Sequence, residues 1–299
     1  MGDNVVDRYR DWGVMYPGGN AVNVAVHARR RQASAAYVGV LGDDVAGRLL
    51  ASSLAAEEVE CTRVRTVSGP TAYAVVRHDR GERVFDHGDT GVSMFRLDAD
   101  DLKYLSEFDA VHTGDCSGLE DQLEEIAGAA AYVSFDFSDR PPAYATPLLP
   151  FVDFATFSAS GADDDQVERL VAWAHELGPA TVLVTRGAEG AVLSDGSRRH
   201  SHRPPALDAV DTLGAGDAFI ATALVEHLSG SGLERVLDAA AGHAARTCLT
   251  LGAFGHEVRD TLPPPPGRQE ARILPFFAPT DRTPLHLEGQ WASTPEEGA

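Results

Sequence analysis

Lysine is almost missing from this chain of 299 residues. Lys103 is the only one, and Asp plus Glu outnumber Lys plus Arg by 45 to 25, which gives a net charge of −20. Such a surface repels polyanions, so nucleic-acid binding is excluded as a general activity. Any phosphate site must be built locally, from backbone N–H groups and arginines, against an unfavourable field. Cysteine is scarce as well. Cys61, Cys116 and Cys248 are scattered, odd in number and outside CxxC spacing, which excludes a disulfide framework and a zinc site and fits small buried thiols in a reducing compartment. No apolar run approaches the roughly 20 residues that span a bilayer. The opening MGDNVVDRYRDWG has neither the basic start nor the apolar stretch of a secretory signal. A cytoplasmic protein without a membrane partner is expected. The P-loop string GxxxxGK[ST] is absent too. Histidine is plentiful, at eleven, yet none stands in H-x-x-x-H spacing, and His112, His227 and His243 read as structural or surface groups.

What remains is ordinary globular composition, 43% hydrophobic and 23% charged, on a chain long enough to bury a stable core. Apolar alternation and turn residues predict a helix at 19–31, a strand at 35–41 and a helix at 44–57. Segments 63–67, 71–78 and 82–86 alternate and predict a small antiparallel sheet with one wet face. Strands then follow at 109–113, 131–136, 152–157, 180–185 and 190–195, with helices at 98–106, 119–130, 163–177, 215–229 and 233–249. Short apolar strands alternating with helices imply an α/β fold, a mostly parallel central sheet covered by helices on both faces. Residues 258–299 differ. They hold eight of the seventeen prolines, including a run at 263–266, a composition that disfavours a packed core and predicts a mobile or surface-draped tail.

The chemistry is concentrated in Asp211-Thr212-Leu213-Gly214-Ala215-Gly216-Asp217, which runs into an apolar helix. Glycines at a helix start let the backbone approach a ligand. The first N–H groups of a helix lack intrahelical partners, and with the helix dipole they form an anion hole. An acid in that same turn, Asp217, cannot ligate phosphate. It suits a general base for an attacking hydroxyl, where the bland alternative is a dipole-favoured acid after a plain turn.

This string resembles D-T-x-G-A-G-D, the second signature of the ribokinase-like (PfkB-type) sugar kinases. Gly18-Gly19-Asn20-Ala21-Val22-Asn23-Val24-Ala25 resembles the first, G-G-x-x-x-N-x-A, and Val38 to Asp43 and Val184 to Gly190 resemble the V-G-x-L-G-D strand end and V-T-x-G-x-x-G turn between them. The resemblance spans about residues 2–257 and implies a ribokinase-like kinase domain over 1–257, with a small antiparallel β lid at approximately 8–16 and 63–90 and the Pro-rich tail outside it. It implies ATP and Mg²⁺ as cofactors and a small sugar as substrate. Asp217 falls on the catalytic base, and Gly214, Ala215 and Gly216 on the amides that stabilise the transferred phosphoryl. Asp7, Gly19, Asn20 and Asn23 fall on the substrate positions, Asn20 being equally suited to cap a helix. Thr185, Arg186, Gly187 and Gly190 fall at the nucleotide. Asp136 and Arg140 resemble D-x-N-x-R and serve metal-bound phosphates, or else form a surface pair. Lid-mediated pairing in the family makes a homodimer a further expectation.

Several strings, among them GDNVVDRY (2–9), ERVFDH (82–87) and GAFGHE (252–257), look closer to fructoselysine 6-kinases. Such an enzyme acts on the 6-hydroxyl of a fructosamine, with Asp86 and Asp89 as candidates for pairing with its ammonium. Two departures stand beside this. Ser158-Ala159-Ser160-Gly161 replaces the family's N-x-x-E, leaving Asp163, Asp164 or Asp165 as substitutes at magnesium. The central strand that precedes G-D-N in the family is absent, so an upstream start, or another segment in its place, is expected. The alternatives at this point are another sugar or nucleoside kinase of the same family and a non-catalytic ligand-binding relative.

Overall fold

The computed structural model describes residues 1–79 and 82–263. Two strands, β1 (Val5–Tyr9) and β2 (Val14–Gly18), lead into α1 (Asn20–Arg30), followed by β3 (Gly39–Gly42), α2 (Val45–Ala56), β4 (Val64–Val67), β5 (Tyr73–Asp79) and β6 (Glu82–Asp89). Next come α3 (Ala99–Leu105), β7 (Val111–Gly114), α4 (Leu123–Ala129), β8 (Val133–Asp136), α5 (Pro142–Ala145), β9 (Phe154–Ser158) and α6 (Asp164–Glu176). The last described elements are β10 (Thr181–Thr185), β11 (Ala191–Ser194), β12 (Arg199–His202), α7 (Ala215–Leu228), α8 (Leu233–Thr247) and β13 (Val258–Arg259).

A six-stranded sheet runs β12-β11-β10-β9-β8-β7. Strands β7 to β10 are mutually parallel, and β11 and β12 turn back antiparallel. Strands β9 to β11 are mostly apolar and buried because both faces are covered, whereas the edge strand β12 is polar and partly exposed. On one face Leu123 and Ile126 of α4 and Val167, Leu170 and Val171 of α6 pack with Val133, Phe135, Val182 and Val184. On the other, Val24 of α1, Ile220 and Leu224 of α7 and Val236 and Leu237 of α8 pack with Phe154, Leu183 and Leu193. Each such large side chain contributes about 1.5–3 kcal/mol on burial. Helix α7 is apolar on nearly every side because it lies between α1, α8 and the sheet. That burial fixes its first turn in place.

A second, five-stranded sheet runs β13-β2-β1-β5-β6. The sequence expectation needs correcting here. Residues 63–67 do not join an antiparallel insert; β4 pairs in parallel with β3, Gly39 opposite Val64, in a separate two-stranded sheet. The strand on the other side of β5 from β6 comes from the N-terminal segment: β1 lies parallel to β5 and antiparallel to β2. Alternation along β4 could not distinguish these partners. The expected helix at 119–130 starts as a 3-10 turn over Glu120–Gln122. The first residues run between β3 and β7, with Gly2 N–H donating to Val38 O, just before β3, at 3.0 Å and the Met1 amine to His112 O of β7 at 2.8 Å.

The start of the Pro-rich segment is held, not draped. Strand β13 pairs with β2, and Arg8 forms an ion pair with Asp260 at 2.7 Å while donating to the carbonyls of Leu262 and Pro263. Most of the proline run and all later prolines lie outside the described residues.

Candidate active site

Helices α1 and α7 bring the two sequence signatures together. Gly214, at φ 72°, is the residue before α7, and a side chain there would stand 2.5 Å from the Ala253 methyl. Only glycine satisfies both the left-handed backbone and that contact. Two residues on, a Cβ at Gly216 would meet nothing within 4 Å, so the helix opening faces free space. Ala215 N–H makes a long, 3.3 Å bond to Thr212 O. Asp217 is the third residue of the helix, on the same turn.

The Asp217 carboxylate accepts from Asn23 Nδ2 at 2.6 Å and from Asn20 Nδ2 at 2.9 Å. Residues 194 and 197 positions apart in sequence thus meet as one polar cluster. The Asn20 amide also donates to Asp136 Oδ2 at 2.9 Å, so a single NH₂ group spans two carboxylates. Asn20 is not the cap of α1. That role is taken by Asp3, whose carboxylate accepts from the N–H groups of Asn20 at 2.8 Å and Ala21 at 3.2 Å. Gly19, at φ 107°, lets the chain pass against Asn4, whose Cα would be 2.7 Å from any added Cβ. Asp7, in the middle of β1, is 3% exposed, and its carboxylate lies against Gly18, where a Cβ would meet it at 2.3 Å.

Asp136 and Arg140 are not a surface pair. Arg140 Nε donates to Asp115 Oδ2 at 2.7 Å, and Asp136 is buried with Oδ1 accepting from Ser138 N–H. Burial, followed by the charges of Asp115 and Asp217, pushes the Asp136 carboxyl up to about 8. Burial also raises Asp115, against the pull of Arg140. The same cluster includes His112, which does more than fill space: its Nε2 lies 3.4 Å from Asn20 Oδ1 and its Nδ1 2.9 Å from Ser134 Oγ. An imidazole N–H toward Asn20 Oδ1 leaves the amide NH₂ end facing the two carboxylates. Burial lowers His112 to about 3.

The candidate nucleotide residues stand at the C-terminal end of β10. Thr185 Oγ1 donates to Phe157 O at 3.3 Å, Arg186 N–H donates to Gly190 O at 2.7 Å, and Gly187 lies in the intervening tight turn. Gly190 is required, because a Cβ would be 2.0 Å from His202 O. The Arg186 guanidinium pairs with Asp164 at 2.7 Å. That contact, and the capping of α6 by Asp163, engage two of the three acids expected to replace N-x-x-E. Asp86 and Asp89 are similarly engaged, Asp86 with Arg77 and His87, Asp89 with Gly91 N–H.

Sequence reasoning missed Asp3, Asp115 and the role of Asp211. Buried Asp211 accepts from Leu213 N–H and Gly252 N–H, each at 3.0 Å, and from the Tyr9 hydroxyl. Its place at the head of the second signature was the only available signal.

The profile of the pfkB family carbohydrate kinases matches residues 6–256. The chain belongs to this family and is an ATP-dependent carbohydrate kinase. It is 38% identical over 280 residues to fructosamine kinase FrlD of Bacillus subtilis (strain 168), covering 92% of this chain and 98% of that one. It is 33% identical over 257 residues to fructoselysine 6-kinase of Escherichia coli (strain K12), covering 85% and 98%. Arabidopsis thaliana ribokinase, solved with ribose and ATP, superposes with a TM-score of 0.73 at 25% identity, covering 85% of this chain and 92% of that one. The expected ribokinase-like α/β fold is therefore the fold of this chain.

Proposed function

We propose that this kinase transfers the γ-phosphoryl group of ATP to the 6-hydroxyl of a fructosamine such as fructoselysine, with Asp217 as the base. The observation that carries the reading is the Asp217 carboxylate held by Asn20 and Asn23 at the open first turn of α7. A hydroxyl entering that turn meets a carboxylate able to take its proton. The backbone amides of Gly214, Ala215 and Gly216 lie where charge develops on the transferred phosphoryl.

Sugar hydroxyls bind Asn20, Asn23, Asp7 and the Gly19 backbone. Asn23 Oδ1 is buried without a hydrogen-bond partner, an acceptor left over for such a hydroxyl. The five-stranded sheet, in this reading, is the lid over the sugar. Thr185, Arg186, Gly187 and Gly190 border the nucleotide. Magnesium held mainly by phosphates and water needs one or two protein carboxylates. Asp136, beside Asp217 on the shared amide of Asn20, fits that need. When bound, the ion would neutralise charge on the nucleotide's phosphates. The choice of a fructosamine over a simple sugar rests on similarity to the two fructosamine-type kinases.

The test is ADP release over a panel of fructoselysine, other glycated amino acids, fructose, ribose and adenosine, with and without magnesium. Preference for fructoselysine supports the substrate. Preference for a free sugar or nucleoside removes it, and ligand binding without ADP release removes the reaction.

A further inference from the structure

We propose that Tyr9 is a positioning residue for phosphoryl transfer, its hydroxyl tying the strand that carries Asp7 to the loop that opens α7. The inference rests on the assignment of Asp217 and the α7 amides given above. Three donors converge on Asp211, a carboxylate 5% exposed. Leu213 N–H belongs to the loop itself, Gly252 N–H to the turn behind it, and the Tyr9 hydroxyl to β1 of the other sheet. The first two brace Gly214 from both sides, since Leu213 precedes it and Ala253, next to Gly252, fills the space over it. The third reaches across from the strand that carries Asp7.

Tyr9 is built to hold that bond. It is 1% exposed, Trp12 stacks on its ring with centroids 5.3 Å apart, and Tyr16 meets it edge-on at 5.0 Å. Asp7 stands two residues before it, on the same face of the strand, with its carboxylate against Gly18 at the entry to Gly19 and Asn20. The hydroxyl therefore fixes the distance between the sugar-side strand and the phosphoryl-side loop. Reactivity depends steeply on such placement, a misfit of about 1 Å lowering rates by about a hundredfold.

Tyr9→Phe keeps the stacked ring and removes only the donor. Partial loosening should lower kcat about tenfold while KM for sugar and ATP stay within about threefold, and losing one of the donors to a buried carboxylate should lower the thermal midpoint by a few degrees without unfolding the enzyme at assay temperature. Tyr16→Phe, which removes a hydroxyl from the same aromatic cluster but bonded to Glu257, should retain kcat. Wild-type kcat in Tyr9→Phe overturns the proposal. So does an equal loss in Tyr16→Phe, which assigns the effect to packing of the cluster. Asp217→Asn, measured alongside, reports separately on the base: turnover retained there removes that assignment, whereas a wild-type Tyr9→Phe beside an inactive Asp217→Asn removes only the role of Tyr9.

Discussion

The carboxamide of Asn23 holds the carboxylate of Asp217 at 2.6 Å, joining helices whose sequences lie 194 residues apart. In the proposed reaction this bond orients the base, and Asn23 Oδ1 has no hydrogen-bond partner of its own. Asp217→Asn should retain ligand binding by calorimetry and lose about 10²–10⁴ in kcat. Asn23→Ala should raise KM for the sugar and, by removing one hydrogen bond to the half-buried Asp217 carboxylate, destabilise the fold by about 1–2 kcal/mol in urea titration. An Asn23→Ala enzyme with unchanged KM and stability would contradict both roles.

Two glycines of one loop should fail in opposite ways. Gly216→Ala places a methyl in open space and gains about 0.5–1 kcal/mol of helix preference, so its melting point holds or rises while phosphate approach, read as kcat and KM for ATP, worsens. Gly214→Ala meets both a positive φ and the Ala253 methyl at 2.5 Å, and should lose about 1–3 kcal/mol of stability. Equal melting points for the two variants would break this distinction.

Stability should fall in acid partly through two histidines. His27 Nδ1 and His243 Nε2 lie 3.0 Å apart, and His27 Nε2 donates to Ala253 O. Burial first, then the neighbouring imidazole and Arg30, lower His27 to about 3. Burial first, then Arg246, Arg31 and Arg30, lower His243 to about 4. In the unfolded chain both titrate near 6.5. Between about 6.5 and 4 the unfolded state binds protons that the native state refuses. Stability is therefore lost as pH falls through that window, by up to about 1.4 kcal/mol per pH unit for each imidazole. Asp136, raised to about 8, acts in the opposite sense from about pH 4 to 8, so the informative quantity is a difference between variants. Urea titrations of wild type and His27→Gln from pH 4 to 7 should show a flatter acid limb in the variant. Parallel curves would rule out this source.

Arg8 is 7% exposed at its side chain and pairs with Asp260 at 13%. Arg8→Ala strands a mostly buried carboxylate and should destabilise by about 3 kcal/mol. Asp260→Asn, which keeps an acceptor for the guanidinium, should lose less. Denaturant midpoints of the two variants provide the comparison; a larger loss for Asp260→Asn would point to packing instead.

The parts legible in the sequence are those written locally. The helix expected at 163–177 is α6, and the capping box that starts it joins two residues only three apart, Asp163 and Gln166. Apolar runs gave the parallel strands because both faces are buried. The D-T-L-G-A-G-D string pointed to the open turn at Gly216 because glycine and acid spacing is itself the geometry. Contacts between distant segments were not legible. Nothing near Val64 states that its partner is Gly39, and nothing near Arg140 states that it bonds Asp115 instead of Asp136. Asp3 read as part of a turn string, yet it caps a helix seventeen residues later. Tyr9 and Asp211 lie 202 residues apart, beyond any local period.

The pairing of β13 with β2, fastened by Arg8 and Asp260, also governs the order of assembly. During synthesis one of the earliest strands waits with a bare edge until residues some 250 positions later emerge. Closure over such a separation is slow, and an unpaired edge of this kind invites misassociation in the meantime. The five-stranded sheet is thus among the last parts to be completed, and a nascent chain halted before Val258 would carry an intact α7 opening beside an unfinished neighbour.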